Sequence, residues 1–505
     1  MDNRTLLAVI LSIFVIIGYQ YFFSAQQPQV KEEKPPVEKK EETARPLAAP
    51  AVAETAPAEE KGIRVENELY TAILSSRGGT IKYWEIKEYK DKIGKDVILL
   101  KKPGIVPALG IGSNNNFDLA DVNFNVSGRD MKLDGNNRSG TIIFEYYGDG
   151  ISVRRTYTFY SGTYKVDVAD EVSGLPEYWI TLGSDFGIFE NEDSYTHVGP
   201  VLLTDSNLEE LKPKKLNEPK IFRENLKWIA QEDKYFFSAL VPQTPVEEAK
   251  AWLKDNSPVI AFKGKTDINK FSIYAGPKDS DRLSRLNLGL EHIINFGFFS
   301  VIARPLFWVL KFFYGFLGNY GWAIILLTIV TRIPFIPLMN KGQKSMKKLQ
   351  AIQPKMAEVR EKYKKDPQKM QKEMTELYKK HKVNPVSGCL PMLLQIPVFF
   401  ALYKVLLIAI ELRGAPFMLW ITDLSVKDPY YILPVVMGIT MVIQQKMTPS
   451  GMDPKQAKLM MLMPVIFTFL FLNFASGLVL YWLVNNVLSI IQQFFTNRKL
   501  AKEAL

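Results

Sequence analysis

Hydrophobic residues are distributed unevenly along this chain of 505 residues, and the longest apolar runs lie after residue 318. Five of these runs approach the roughly 17–25 residues that a helix needs to cross a bilayer, although the fourth and fifth are short or interrupted. They cover residues 320–338, 389–410, 430–447, 459–474 and 478–495. A further apolar segment at 6–23 is interpreted as an uncleaved membrane anchor, with a cleaved signal peptide as the alternative. The pattern therefore predicts a multi-pass α-helical membrane protein with six crossings.

The segment between the anchor and the later runs has the pattern of a linker followed by a β domain. Residues 26–61 are rich in proline, glutamate, lysine and alanine, which predicts a disordered or extended linker. In residues 62–290, polar and apolar residues alternate in short stretches that glycines interrupt, as in 70–86 and 151–168. Many short strands within one stretch indicate a large antiparallel β-sandwich.

Residues 298–316 connect the β domain to the apolar runs and have an amphipathic pattern. Arg304 and Lys311 are seven residues apart and share one helical face, whereas Trp308 and Phe312 contribute to an apolar side. This pattern predicts a helix that lies in the membrane interface. An ordinary buried helix is the alternative.

Charge predicts the orientation of these segments. The formal net charge is +10, and residues 341–384 alone contain 14 basic and five acidic residues. Basic loops stay on the cytoplasmic side of a membrane. The 341–384 loop and the tail at 498–505 are therefore predicted to be cytoplasmic. Six crossings place the N-terminus there too, and residues 24–318 mainly on the outer side.

The 341–384 loop also has helical periodicity. Apolar residues recur every three or four positions in two runs separated by Asp366-Pro367, which predicts an antiparallel hairpin of two amphipathic helices. The apolar stripe either packs the helices on each other or offers adaptable methionines to apolar partners. The methionines of this candidate surface are Met346, Met356, Met370 and Met374. The basic face either is solvated and sets the topology, or contacts ribosomal RNA or anionic lipids. A DNA partner is not expected.

Arg332 is the most informative polar residue in the apolar runs. It precedes Lys341 by nine residues, which places it roughly 13 Å from the cytoplasmic end of its helix. A charge at that depth is costly and usually faces protein or a water-filled cavity. Thr328 lies one turn earlier on the same face, and no acidic residue at bundle depth is available as a permanent partner. The later runs supply further polar residues, namely Gln395, Gln444, Gln445, Asn473, Tyr481, Asn485, Asn486, Gln492 and Gln493. The sequence thus favours a functional aqueous cavity over a purely structural arginine.

The residues for most cofactor chemistry are missing from the sequence. The single cysteine, Cys389, excludes an internal disulfide, and three histidines far apart in sequence argue against a His/Cys metal site. No nucleotide-binding or nucleophile motif is visible. We therefore expect no metal, no cofactor and no enzymatic activity.

Several long segments resemble the YidC-type family of membrane protein insertases. They are 319–338 with Thr328 and Arg332, NPVSGCLPMLLQIPVFFALY at 384–403, ELRGAPFMLW at 411–420, DPYYILP at 428–434 and MPVIFTFLFLNFASGLVLYWLVNN at 463–486. These segments lie within residues 298–497, nearly all of which the resemblance covers. The preceding anchor, linker and β domain are similar to the Gram-negative form of the family, whose periplasmic domain is a supersandwich.

The resemblance implies a five-helix core around a hydrophilic groove that is open to the cytoplasm and to lipid and closed on the outer side. Arg332 would lie in that groove, and Thr328, Gln445 and Trp482 occupy matching positions. Tyr481, which precedes Trp482, completes the predicted groove residues. The implied substrates are nascent inner-membrane proteins, inserted and helped to fold alone or with components of the Sec translocon. The short C-terminal tail would leave any ribosome contact to the cytoplasmic loops.

Two other functions fit parts of the pattern. A membrane-anchored sugar-binding or sugar-modifying protein would use the β domain, where only His197 and His292 are available as catalytic histidines. A small-solute transporter would use the helices, but transporters usually contain an inverted repeat, which is not visible here.

Overall fold

The computed structural model describes residues 60–91, 93–189, 196–205, 207–381, 383, 390–448 and 454–502. The predicted anchor at 6–23, nearly all of the linker at 26–61 and Cys389 lie outside the described residues. The chain divides into two compact units, Met1–Ile293 and Ile294–Leu505. The described strands belong to the first unit, and the long apolar helices belong to the second.

The first unit is rich in β-strands, as the alternating pattern predicts. In chain order the strands are β1 Gly62–Glu66, β2 Tyr70–Ser75, β3 Ile81–Lys90, β4 Asp96–Leu100, β5 Ile111–Gly112, β6 Asn125–Ser127, β7 Met131–Lys132, β8 Ser139–Gly148, β9 Ile151–Tyr160, β10 Lys165–Ser173, β11 Tyr178–Thr181, β12 Gly199–Thr204, β13 Leu208–Glu210, β14 Lys220–Phe222, β15 Leu226–Glu232, β16 Phe236–Pro242, β17 Glu248–Lys254, β18 Ser257–Gly264 and β19 Ile268–Pro277. In β9, buried and more exposed residues alternate, so one face of the strand packs into the core.

These strands form three sheets. The largest has nine strands in the order β13-β12-β15-β16-β19-β10-β9-β8-β6. Two five-stranded sheets have the orders β4-β3-β2-β1-β7 and β14-β17-β18-β11-β5. Large aromatic side chains such as Trp84, Trp228 and Tyr157 are completely buried, which provides the hydrophobic core that stabilises the domain.

Both hairpins predicted from glycine positions are confirmed. β9 pairs antiparallel with β10, and Gly162 in the turn between them has a φ of +70°. β2 pairs antiparallel with β3, and Gly78 in that turn also has a φ of +70°. A Cβ on Gly78 would lie 2.4 Å from the carbonyl oxygen of Ala120, so both the backbone conformation and the close approach require glycine.

The prediction of an antiparallel sandwich is wrong for one pair of strands. β1 and β7 are parallel neighbours, with Val65 opposite Met131. Parallel neighbours require a long crossover connection, and the chain from β2 to β6 provides it. The local alternation that identified the strands contains no information on this long-range pairing.

A charged pair is completely buried in the largest sheet. Arg155 on β9 donates from Nε and Nη2 to the two carboxylate oxygens of Asp170 on β10, at 2.8 and 2.7 Å. Both side chains have no exposed surface. The hydroxyl of Tyr178 donates to Asp170 Oδ2 at 2.6 Å, and Nη1 of Arg155 donates to the carbonyl oxygen of Leu109 at 2.7 Å. The two buried charges are thus paired with each other and hydrogen-bonded.

The α-helices begin at the end of the β domain. In chain order they are α1 Ser280–Leu286, α2 Ser300–Leu317, α3 Tyr320–Arg332, α4 Ile336–Ala351, α5 Gln353–Lys362, α6 Pro367–Lys380, α7 Leu390–Ile408, α8 Ile432–Met447, α9 Pro454–Phe471 and α10 Ser476–Lys502. Within the described part of the chain, three stretches are long and apolar enough to cross a membrane: Gly297–Leu317, Tyr320–Ala351 and Ser476–Arg498. Shorter apolar helices cover Gln395–Ile408, Ile432–Met447 and Met460–Phe471. The number of six crossings stays a prediction.

Three of the helices start at one loop, residues 413–431. Asn319, which caps α3, donates from its side-chain amide to the carbonyl oxygen of Phe417 at 3.0 Å. The carboxylate of Asp428 accepts a hydrogen bond from the first turn of α8. Ser476, at the start of α10, donates to a carbonyl oxygen of the same loop. Because all three N-termini meet this loop, α3, α8 and α10 run in the same direction through the unit.

The predicted two-helix hairpin consists of three helical segments. Its first arm is broken at Ile352, between α4 and α5, because Pro354 follows and has no backbone N–H for a continuous helix. The second arm, α6, begins at Pro367, and the side chain of Asp366 caps it by accepting from the backbone of Lys369 at 3.1 Å. The Asp366-Pro367 pair separates the two arms as predicted.

Candidate functional site

A polar recess lies among α3, the start of α4, α7 and α10. The residues that line it are Thr328, Thr331, Arg332, Phe335, Met339, Gln395, Val398, Tyr481 and Asn485. It contains about 340 Å³ of empty space, counting the part that opens to the surroundings. Its lining combines a guanidinium, hydroxyl and amide groups with the apolar side chains of Phe335, Met339 and Val398. The polar groups give a water molecule in the recess hydrogen-bond partners.

Arg332, at the end of α3, is held in this recess by α10. Its Nη1 donates to the backbone carbonyl oxygen of Asn485 and, at 2.9 Å, to the side-chain Oδ1 of the same residue. Its Nη2 donates to Oγ of Ser489 at 2.6 Å and lies 3.8 Å from Sδ of Met339. Only 8% of Arg332 is exposed. The position of the cation is therefore fixed by several contacts.

The acceptors around Arg332 are all neutral. In the described part of the chain, none of its hydrogen bonds goes to a carboxylate. Its Nε is buried and has no hydrogen-bond partner among the described residues. A buried cation without a counter-charge is costly, so this arrangement attracts any anionic group that enters the recess.

Two other predicted groove residues lie beside Arg332. Thr328 is 1% exposed, and its hydroxyl donates to the carbonyl oxygen of Ile324 at 2.7 Å, one turn earlier in α3. Tyr481 on α10 is 2% exposed and lines the recess. Because this hydrogen bond uses the hydroxyl proton of Thr328, its oxygen can act towards the recess only as a hydrogen-bond acceptor. The structure thus brings Arg332, Thr328 and Tyr481 together.

The remaining two predicted groove residues do not line this recess. Trp482 lies in an aromatic cluster, where its ring centroid is 4.8 Å from that of Phe399, 5.2 Å from that of Phe471 and 6.0 Å from that of Phe467. One residue along a helix rotates the side chain by about 100°. Trp482 and Tyr481 therefore point in different directions, although both rings contact Phe399, and only Tyr481 lines the recess. Gln445 is half-buried on α8 and is not part of the recess lining.

The sequence reasoning missed Ser489, Met339 and Phe335. Ser489 was detectable, because it lies four residues after Asn485 and eight after Tyr481, and this spacing places all three on one face of a helix. Met339 and Phe335 were not detectable, since a short 3₁₀ segment at Ile333–Phe335 interrupts the α-helical spacing after Arg332.

The methionines of the hairpin pack mainly inside it. The core of the hairpin consists of Leu349, Ile352, Met356 and Val383, with Met346, Met374, Leu377 and Tyr378 packed against it. Met356 is 2% exposed, so its assignment to an exposed surface is wrong. The apolar stripe holds the two arms together, which was the first of the two interpretations. Met346, Met370 and Met374 are half-buried, and a role for them in binding stays a prediction.

Helix α2 has an apolar face on each side. One face is buried and consists of Ala303, Leu306, Phe307 and Leu310. The other is exposed and includes Val301, Trp308, Phe312 and Phe316, each more than 60% exposed. The exposed aromatic face excludes an ordinary buried helix, and its neighbour Arg304 is exposed as well. Such a surface is compatible with lipid on one side.

The described part of the β domain has no comparable group of polar side chains around a buried cavity. Among the described residues, no group of three or more His, Cys, Asp or Glu side chains could hold a metal ion. Nε2 of His197 is 3.1 Å from the carbonyl oxygen of Pro200, and burial lowers the pKa of this histidine. We therefore place the candidate functional site in the helical unit.

The fold and the recess define a membrane protein with a large β domain and a polar cavity among apolar helices. Comparisons with known proteins narrow this class. Residues 62–309 match the family described as YidC periplasmic domain, and residues 312–503 match the family described as 60Kd inner membrane protein. The chain is 40% identical to the membrane protein insertase YidC of Syntrophus aciditrophicus over 99% of this chain and 100% of that one. It is 42% identical to that of Geobacter metallireducens over 99% of both chains.

A solved structure of an active YidC insertase covers 97% of this chain and 99% of its own, with 18% sequence identity and a TM-score of 0.41. On the full-length sequence matches, the chain belongs to the YidC family of membrane protein insertases. It is an inner-membrane protein with a periplasmic domain, and its family is not enzymatic.

Proposed function

We propose that this insertase lowers the cost of moving polar segments of nascent membrane proteins across the bilayer by means of the recess around Arg332. The observation that carries the proposal is the buried cation, which Asn485 and Ser489 hold in place while no carboxylate of the described residues neutralises it. A purely structural arginine would be expected to have a counter-charge at this depth.

The mechanism follows from the cost of burying polar groups. The polar tail or hairpin of a substrate cannot cross hydrocarbon cheaply, and a wet recess shortens the apolar part of its path. Both terminal nitrogens of Arg332 are already hydrogen-bonded, so the residue acts as a fixed positive charge that attracts acidic residues of the tail. The apolar segment of the substrate then partitions into lipid. Hydrophobic partition and the membrane potential supply the driving force.

The topology is proposed to place both termini and the hairpin in the cytoplasm. The basic 341–384 loop supports this orientation. The common direction of α3, α8 and α10 supports it as well, since alternate crossings of one chain run in the same direction. The basic face of the hairpin suits anionic lipids or a ribosome, and Sec translocon components are proposed as partners in insertion.

Crosslinking tests the proposed path. A photoreactive amino acid in place of Phe335, which lines the recess without contributing its charge, should crosslink to nascent inner-membrane proteins during their synthesis. The same amino acid in place of Tyr147, which is 66% exposed on the β domain, serves as the control. Crosslinks from position 147 but not from position 335 would contradict a substrate path through the recess.

Deletion of the hairpin is expected to abolish insertion without unfolding the bundle. The hairpin builds its core from its own residues, so replacing 344–383 by a short flexible linker leaves the recess residues in place. The measurements are insertion of a nascent substrate and the melting temperature in detergent. Wild-type insertion by a normally expressed deletion variant would show that the hairpin is not needed for capture.

Trimming the β domain is expected to leave insertion largely intact, whereas deletion of 298–316 should not. The described part of the β domain contains no candidate site, while α2 packs against the other helices of its unit through a buried apolar face. The comparison uses two variants, one lacking most of 62–270 and one lacking 298–316, at equal protein levels. Loss of insertion in the first variant would assign an essential role to the β domain.

A further inference from the structure

The 413–431 loop exposes large apolar residues. Leu419 is 79% exposed, Tyr430 is 68% exposed, and Met418 and Val426 are 45% and 44% exposed. A loop in water normally exposes polar residues, and an apolar cluster of this kind marks a contact with something other than water.

The loop is nevertheless rigidly built. Asp428 has no exposed surface, and its carboxylate accepts hydrogen bonds from Nε1 of Trp420 at 3.0 Å and from the backbone N–H groups of Tyr430 and Leu433 at 3.0 and 2.7 Å. Leu419 has a φ of +54°, a left-handed conformation that is unusual for a bulky residue. The fold therefore tolerates backbone strain at Leu419, the most exposed large apolar residue of this loop.

The polar backbone groups of this loop are extensively paired within the protein. The carbonyl oxygen of Val426 accepts from both the backbone and the hydroxyl of Ser476, and that of Phe417 accepts from Asn319. Further backbone donors are bonded internally, namely those of Arg413, Ala415, Phe417, Ile421, Leu424, Ser425, Tyr430 and Tyr431. Non-helical backbone at membrane depth is tolerated only when its polar groups are satisfied by protein or by a water-filled cavity.

Helix α8, which follows the loop, is short for a membrane crossing. It has 16 residues, which corresponds to about 24 Å, whereas the hydrocarbon core of a bilayer is about 30 Å thick. Its exposed face is apolar, with Val435 48% and Ile439 54% exposed. The exposed apolar residues Val426 and Tyr430 directly precede this helix in the chain.

We propose that the 413–431 loop is embedded in the membrane, with Leu419 and Tyr430 at the boundary between acyl chains and phospholipid headgroups. Nζ of Lys427 lies 5.7 Å from the ring centroid of Tyr431. In this placement a cation and a tyrosine hydroxyl would lie at the level of the phosphate groups. The proposed topology makes this the outer leaflet, but contact with lipid does not depend on that orientation. The loop would thus form a lipid-covered end of the helical unit.

Spin labels on the full-length protein test this proposal. Single cysteines are introduced as Leu419→Cys, Met418→Cys and Tyr430→Cys in a Cys389→Ser background, and the labelled protein is reconstituted into vesicles of phosphatidylethanolamine and phosphatidylglycerol. Collision with oxygen, which concentrates in lipid, is compared with collision with a water-soluble nickel chelate. Matched controls are Ile439→Cys on the exposed face of α8 and Tyr147→Cys on the β domain.

The labels at 418, 419 and 430 should have an oxygen-to-nickel ratio several-fold above that of position 147 and below that of position 439. Met418 provides a second site next to Leu419 in case substitution at the strained residue disturbs folding. A ratio equal to that of position 147 at all three sites would overturn the proposal. Protection from both reagents would also overturn it, because it would show a protein contact instead of lipid. Neither result depends on whether the recess carries substrates.

Discussion

Replacing Arg332 by alanine should abolish most insertion of substrates with acidic tails, whereas Arg332→Lys should retain most of it. At an effective dielectric constant of about 20 and a separation of about 4 Å, a unit charge attracts a carboxylate by about 4 kcal/mol, which is large for a single insertion step. Lysine keeps this charge and loses the hydrogen bonds to Asn485 and Ser489. The measurement is insertion of two substrates that differ only in the charge of the translocated tail. A neutral tail should be affected much less.

The matched control is Ser489→Ala, which removes a hydrogen bond to Arg332 and leaves the charge in place. It should affect both substrates alike and lower the melting temperature, since a hydrogen bond to a charged group contributes about 1.5–3 kcal/mol. If Arg332→Ala impairs both substrates equally, in proportion to a lower melting temperature, then Arg332 is a packing residue and the recess loses its proposed role.

The second large effect is expected in the β domain, where Asp170→Asn should lower the free energy of unfolding by about 3–5 kcal/mol. The substitution leaves the guanidinium of Arg155 buried without a counter-charge, because neither side chain has any exposed surface. For a domain of this size, such a loss corresponds to a decrease in melting temperature of roughly 6–20 °C. Thermal unfolding of the full-length protein measures the decrease in melting temperature. Hydrogen exchange of the amides in β9 and β10 measures the loss of stability in the domain itself.

Glu145→Gln provides the control for Asp170→Asn. Glu145 pairs with Arg154, the neighbour of Arg155 on β9, at 3.6 Å, and the two side chains are 29% and 47% exposed. Exposed pairs contribute about 0–1 kcal/mol, so this substitution should change the melting temperature little. Equal effects of the two substitutions would mean that the buried pair is no more important for stability than a surface pair.

Local patterns in the sequence were sufficient for the strands and for two hairpins, because alternation and turn glycines act within a few residues. The parallel pairing of β1 with β7 depends on contacts between Val65 and Met131, far apart in the chain, and no local signal encodes it. The same limit applies to Arg154 and Arg155. Alternation places adjacent arginines on opposite faces of β9, but the sequence does not show which of them finds Asp170 in the core.

Parts of the recess were also predictable. The depth of Arg332 in an apolar run indicated a polar environment, and Tyr481 was among the polar residues of the last run. The direction of a side chain was harder to predict, since Trp482 differs from Tyr481 by one helical step and packs against Phe471 and Phe467 instead of lining the recess. The interior position of Met356 follows from a third helical segment that the sequence pattern had merged with its neighbour.

Helix α4 starts beside the recess and ends in the core of the hairpin. Met339, in its first turn, contacts Arg332, and Leu349, near its end, is buried in the hairpin. The helix therefore connects the hairpin mechanically to the recess. If a captured substrate displaces the hairpin, Met339 has to move or the helix has to bend. Gly342 is the residue of α4 that offers the least resistance to bending. If the hairpin captures substrates as proposed, its displacement would therefore be transmitted along α4 to Met339, which contacts Arg332.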